Sequence, residues 1–532
     1  MATGQQLLAR QLERAQKEIW LRDLRGISGS AAYALAKLAH YADAAATMER
    51  GRARLLFEAL QRNRRDLEQL PARGHDELYR RYREIVETEE RLMPPTIARP
   101  NQPDSLRGQA RLDAIVAANA TFDEIVANIQ KIPRYEDFLA EPTFAQIQAA
   151  AQDTPLVYLL ATSCGGLTLV VYAGDVQPVW LDAVTDVAVR EWLSGPDDDP
   201  AEGGWLGAYS HWLSEPTQEA HRACLAAIDD VTHQLWAHVM GPLAAALHRQ
   251  PPVEASAAPA VTLIPVGLLA LLPLHAAWTE DASTPTQRRY FLDEFTVNYA
   301  PSALALRHVQ EGAERALADR LLAVEEPLAA GAWRLPNVHA EVAAIAELFD
   351  TPVILARAEA TRRAVRAALP QAEVVHFSCH GSNNWQSPLE SGLLMADDET
   401  GKHVLLTVRD LLESGQASGR LATLSACETG IVGTKLPDEV VALPSALLQA
   451  GFSGVAASLW SVADISTAML MEHFYHCWRE DKLSPAQALR AAQRWLRDTT
   501  NIEKAEYFKR YIQSCPVCEC RKGRLSTSTT TP

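Results

Sequence analysis

From Val261 to Trp478 strand-like and helix-like segments take turns along the chain, and no other feature restricts the fold as much. The strands read "VTLIPV", "FTVNYA", "DRLLAV", "VILA", "EVVHFSC", "LATLSAC" and "GVAASLW"; the helices between them include "VHAEVAAIAELF", "TRRAVRAAL", "LPSALLQAG" and "STAMLMEHFYHCW". In the first of these helices Val338, Val342, Ile345 and Phe349 share one face. The strands are apolar almost without interruption, so both their faces must be covered. Together with the alternation, this predicts an α/β fold with a mostly parallel sheet flanked by helices. In such sheets the chemistry lies beyond the carboxyl ends of the strands.

That rule picks out three strand ends. "VVHFSCHG" closes on His380 and Gly381, "LATLSACETG" on Cys427, and "VAASLWSVAD" runs out between Trp460 and Asp464. If the first two strands are neighbours, an imidazole and a thiol face one another across the strand tips. A cysteine nucleophile needs a base within reach and donors for the oxyanion. The glycine after the histidine lets its N–H approach a substrate carbonyl without a Cβ in the way, and the Cys427 N–H can supply the second donor. A thiol beside a histidine falls from about 8.5 towards neutrality, which gives a nucleophile at ordinary pH. The alternative is a buried structural cysteine with a histidine that closes its strand. Glu428, next after the cysteine, and Asp464, beyond the third strand, could attract a basic substrate side chain. Equally, Glu428 could cap its turn and Asp464 the helix opening at Ser466 and Thr467.

The chain has 66 acidic and 50 basic side chains, a formal charge of -16, so nothing in bulk would neutralise phosphate and direct nucleic-acid binding is not expected. Eight cysteines scattered over 532 residues suit a reducing, cytoplasmic compartment better than a disulfide framework. The amphipathic start "MATGQQLLARQLERAQKEIW" shows no signal peptide, and Pro265, Gly267 and Pro273 break the apolar run 261–278, so no membrane span is expected.

Such a length implies several domains. Residues 1–100 read as helical. Within them "AAYALAKLAHYADAAATMERGRARLLFEAL" resembles a tetratricopeptide-repeat hairpin, with Ala34, Leu35, Leu38, Ala44, Ala45 and Met48 able to interdigitate; a plain helical bundle is the alternative. Residues 101–255 read as a helical linker followed by strand-like "TPLVYLLAT" and "LTLVVYAG", with an acidic turn-rich insertion at 194–204; residues 256–500 hold the alternating core. Residues 501–532 read as a flexible tail. Its Cys515, Cys518 and Cys520 offer half a zinc site, against which stands a disordered Ser/Thr-rich end.

Cys427 follows His380 by 47 positions, close to the roughly 50-residue separation of caspase-type sequences. Together with "LIPVGLLALLPLHAAW", "FLDEFTVNYAPSALAL", "SGLLMAD", "LATLSACETG", "ALPSALLQAGFSGVAASLWSVADISTAMLMEHFY" and "SPAQALRAAQRWL", which cover about 250 residues in order, the chain resembles the CHAT domain of the caspase-like cysteine peptidase clan. The resemblance implies a caspase-hemoglobinase fold, a His380/Cys427 dyad, and peptide-bond cleavage without metal or organic cofactor. It also implies a non-catalytic companion formed by the strands near 155 to 185. A protein substrate, such as a gasdermin-like target in bacterial signalling, cell death or antiviral defence, and a regulatory partner at the N-terminal helices are the corresponding expectations. A scaffold that cleaves nothing is the contrasting reading. The sequence departs from the family at Val266, where an acidic residue is usual, at Cys379, where a smaller residue is usual, and at the C-terminus, where a closing Trp-Ala-x-Phe strand is not recognisable.

Overall fold

A computed structural model describes residues 26–514, apart from 55, 58–64, 93–104, 197–203, 251–257, 314–316, 330, 385–386, 398–403, 414–416, 418 and 432–436. The chain forms two compact units, residues 1–147 and 148–532. Cys515, Cys518 and Cys520 lie outside the described residues, as does most of the acidic insertion.

The first unit is helical. Helices α1 (Ile27–Lys37) and α2 (Tyr41–Arg50) form a hairpin whose turn is made by Ala39 at a φ of 62°. Ala44, Ala45 and Met48 are buried as expected, but Ala34 and Leu38 face outward, and Ala32, Tyr33 and Ala36 pack in their place. The apolar stripe is offset from the expected one because α1 ends at Lys37, which leaves Leu38 in the turn. Helices α3 (Asp76–Leu92) and α4 (Ser105–Ile129) build a separate core on Tyr82, Phe122, Ile125 and Phe138. Among the described residues one such hairpin stands with a differently packed helix pair, and the resemblance to a tetratricopeptide repeat is not confirmed.

The second unit holds two five-stranded sheets. The alternation predicted one sheet; the structure divides the strands between two. The first sheet has the order β3-β2-β1-β4-β7, with β1 (Leu156–Thr162), β2 (Gly165–Tyr172), β3 (Asp175–Leu181), β4 (Ala260–Pro265) and β7 (Thr296–Tyr299). The short β5 (Trp278–Glu280) and β6 (Arg288–Tyr290) form a ribbon between β4 and β7 in the chain. β1 pairs with β4 in parallel, Leu156 opposite Thr262, so this sheet draws strands from both sides of residue 255. Periodicity reports burial but not pairing, which is why it could not divide the strands.

The second sheet is wholly parallel, in the order β15-β14-β10-β8-β9, with β8 (Leu321–Glu325), β9 (Val353–Ala356), β10 (Val374–Ser378), β14 (Leu421–Ser425) and β15 (Val455–Ala456). Strands β11 (Gly381–Ser382), β12 (Gly392–Met395) and β13 (Val404–Thr407) make a small antiparallel sheet after β10. Alternate residues of β10 explain its unbroken apolar sequence. Val375, Phe377 and Cys379 join one core with Leu424, Ala426 and Leu447, while Val374 joins another with Ile345 and Phe474 on the opposite face. Helix α8 (Leu443–Gln449) covers the first face; α7 (Val338–Ala346), α9 (Asp464–Arg479) and α10 (Pro485–Asp498) cover the second.

Two expectations need correction here. "GVAASLW" is a strand only at Val455 and Ala456, because the following residues turn to bond the segment after β14. Residues 501–514, expected to begin a tail, form helix α11 (Asn501–Ser514), where the Tyr507 ring packs 4.8 Å from Trp495. Among the described residues no helix is long and apolar enough to cross a membrane.

Candidate active site

Strands β10 and β14 lie side by side with Ser378 opposite Ser425. Neighbouring strands run about 4.8 Å apart. His380 and Cys427, each two residues past that pair, therefore leave the sheet at the same level. The two loops touch: a Cβ built on Gly381 would lie 2.1 Å from the Cys427 carbonyl oxygen and 3.4 Å from its nitrogen. Only glycine allows that approach.

The His380 ring is half-buried, and its Nε2 lies 2.7 Å from the carbonyl oxygen of Trp333. A carbonyl only accepts, so Nε2 carries the hydrogen, and in the neutral ring the lone pair resides on Nδ1. Trp333 belongs to the segment after β8, which Glu326 braces. One Glu326 oxygen accepts from Leu335 N–H and Arg334 Nε at 2.9 and 2.8 Å, the other from Arg357 Nη1 at 2.5 Å. Glu326 and Arg357 both adopt positive φ, 35° and 54°, a strained conformation that such bracing can hold.

The half-exposed Cys427 places Sγ 3.5 Å from Ser461 Oγ and 3.9 Å from the Val462 carbonyl. Among the described residues no hydrogen bond joins Cys427 to His380, and none engages the Cys427 N–H. The turn after the cysteine is stitched to the segment that leaves β15. Glu428 N–H donates to Trp460 O at 3.3 Å, Gly430 N–H to Ser458 O at 2.7 Å, and Ser458 N–H to Thr429 Oγ1 at 3.1 Å.

Glu428 sits at a φ of 58° and accepts a 2.5 Å hydrogen bond from Tyr209. Asp464 opens α9, and its carboxylate accepts from both Asn337 N–H, at 3.0 Å, and Asn337 Nδ2, at 2.6 Å. The two acids are thus held differently, Glu428 by the Tyr209 hydroxyl and Asp464 against the start of α7.

Cys379 is buried, and burial, with Cys427 and Glu341 adding to it, pushes its thiol well above the usual range, so it stays protonated. His376 is fully buried, with Nε2 2.9 Å from Glu341 on α7. Among the described residues no cluster of His, Cys, Asp or Glu could hold a metal ion.

Three contributors escaped sequence reasoning. The Trp333 carbonyl left no trace because every residue carries one. Tyr209 precedes its partner Glu428 by 219 positions. Asp438 accepts the Gly267 N–H at 2.7 Å, so a carboxylate from elsewhere in the chain serves the turn where Val266 departs from the family.

Fold and site together describe an α/β protein that carries a thiol and an imidazole on touching loops at the carboxyl edge of a parallel sheet. The CHAT domain family model matches residues 229–515, more than half of the chain, and the chain belongs to that family, which is related to the caspase-like cysteine peptidases. No curated protein matches it.

Proposed function

We propose that the protein is a regulated cysteine endopeptidase in which Cys427 is the nucleophile and His380 the base. The observation that carries this reading is the hydrogen bond from His380 Nε2 to Trp333 O, which leaves Nδ1 free to take the thiol proton. In this mechanism Sγ attacks the scissile carbonyl. The tetrahedral oxyanion is held by the N–H groups of Gly381 and Cys427, of which the latter has no protein partner among the described residues. Nδ1–H then protonates the leaving amine, and water hydrolyses the thioester. Each oxyanion donor is worth about 3 to 4 kcal/mol in such sites.

Glu428, next to the nucleophile in the chain, is the better of the two acids for drawing a basic side chain, through the oxygen that Tyr209 does not engage, while Asp464 is tied twice to Asn337 at the start of α7. The reading includes no metal or organic cofactor. It places the protein in the cytoplasm, with a dedicated protein substrate such as a gasdermin-like target in signalling, cell death or defence, and with a regulatory partner at the N-terminal helices. One observation favours a second reading, a scaffold that cleaves nothing: in this state the thiol contacts Ser461 and Val462 rather than the imidazole.

The test is cleavage-site profiling of a denatured-proteome peptide library with the purified protein and its Cys427→Ala and His380→Ala variants. Cleavage by the unmodified protein is expected to fall at least 1,000-fold in either variant, in line with the loss of a catalytic dyad member. Full activity in Cys427→Ala would falsify the mechanism. Glu428→Ala should weaken cleavage after basic residues more than cleavage after other residues; an unchanged ratio between the two removes that role.

A further inference from the structure

Helix α5 (Trp205–Ser214) lies far from Cys427 in sequence yet reaches both segments that flank the thiol. The Tyr209 hydroxyl donates its one hydrogen to Glu428 Oε1 at 2.5 Å and accepts the Ser461 N–H at 2.9 Å. Glu428 follows the candidate nucleophile directly, and the Ser461 hydroxyl is 3.5 Å from its sulfur. We infer that Tyr209 is a positioning residue for Cys427, with its phenol clasping the turn after the cysteine to the segment after β15 so that the Ser461 hydroxyl stays aimed at the thiol.

Three observations carry this. Tyr209 is 1 % exposed, so water has little access to replace either bond. The phenol donates and accepts through one oxygen, which phenylalanine in its place could not do. The same helix holds Trp205 edge-on against Trp460 at 6.0 Å, so two aromatic side chains of one helix grip the 457–463 segment. Burial, and then the Glu428 carboxylate, push the Tyr209 phenol well above its ordinary value, so the hydroxyl keeps its proton wherever Glu428 is charged. The inference rests on Cys427 as the nucleophile but does not require that a substrate be known.

The test reads the thiol directly. Cys427 in the full chain is alkylated with iodoacetamide at pH 7 and its rate followed by mass spectrometry of the Cys427 peptide, beside the thermal midpoint. Tyr209→Phe is compared with Tyr299→Phe, which strips the other sheet of a phenol that accepts the His275 N–H at 3.1 Å and meets His275 Nδ1 at 3.0 Å. Tyr209→Phe is expected to slow alkylation at least threefold, because the Ser461 hydroxyl is no longer held near the sulfur, while Tyr299→Phe stays within twofold of the unmodified protein. An unchanged or faster rate in Tyr209→Phe, or equal slowing in both variants, overturns the inference. If Tyr209→Phe does not fold, Glu428→Ala opens the clasp at its other end, between the phenol and the turn after Cys427, with the same threefold criterion. The readout needs neither substrate nor activator, so a protein that cleaves nothing sinks the peptidase reading alone, whereas an unchanged alkylation rate sinks the Tyr209 assignment alone.

Discussion

Gly381 sets how closely the loop that carries His380 approaches the loop that carries Cys427. A methyl group there would lie 2.1 Å from the Cys427 carbonyl oxygen, a backbone atom that cannot swing aside. Gly381→Ala must therefore push the histidine loop away from the cysteine loop. We expect a loss of about 1–3 kcal/mol in stability, as overpacking commonly costs, and at least a 100-fold fall in any Cys427-dependent cleavage, since misplacement by about 1 Å costs that much. Denaturant unfolding and peptide hydrolysis would check the two parts; wild-type activity in a folded variant would refute the close approach. At this scale much of the candidate site was legible in sequence, because a His-Gly pair and a cysteine at the ends of apolar strands carry chemical identity with them. Tyr209 was not legible. A tyrosine in "WLGAYSHWLS" reads as one more aromatic on a helix, and its role depends on a partner that only the folded chain brings near.

The elements that aim the site are themselves stapled at their far ends. Glu373, 6 % exposed at the start of β10, accepts the N–H groups of Asp319 and Arg320 at 2.8 and 3.1 Å and the Arg320 guanidinium at 2.9 Å, which fixes β10 against β8. Burial opposes its charge, but those donors outweigh it and hold the carboxyl below the usual range. A depressed carboxyl stabilises the fold above its unfolded value, about 4.3, and that contribution is lost as pH falls through the lower folded value. Glu373→Gln should cost about 1.5–3 kcal/mol at pH 7. The difference from the unmodified protein should shrink below pH 4, and chemical denaturation at pH 7 and pH 3 would measure it; a pH-independent difference argues against the ionised staple. Strand and helix identities in this sheet were readable from the sequence pattern, since β8, β10 and β14 are apolar on both faces and α7 buries Val338, Val342 and Ile345 as their spacing predicts. The short β15 was overextended in that reading, because "AASLW" has strand-like composition while its backbone serves the turn after Cys427.

Across the larger unit, the two sheets share more than a linker. Tyr209 reaches Glu428, Asp438 reaches Gly267, Ile431 and Ala442 enter the core of the first sheet, and Arg490 on α10 donates to the carbonyls of Leu292 and Asp293 at 2.6 and 2.7 Å. These ties predict cooperative melting. A chain of residues 148–514 should unfold in one calorimetric transition with equal calorimetric and van't Hoff enthalpies, and two resolved transitions would show that the sheets are independent. The split into two sheets could not be read from the sequence, because it is a matter of which hydrophobic strands pair, and all of them look alike. The clasp at Tyr209 has a consequence in time. Ribosomes add about 5–20 residues per second, so Tyr209 is made well before Glu428, 219 residues later. The imidazole and its backbone acceptor also emerge ahead of the sulfur. A nascent chain that has not reached residue 427 thus holds the imidazole and the clasping phenol but neither the sulfur nor the two partners of that phenol, Glu428 and Ser461, so the site closes only after the last strand of its sheet is made.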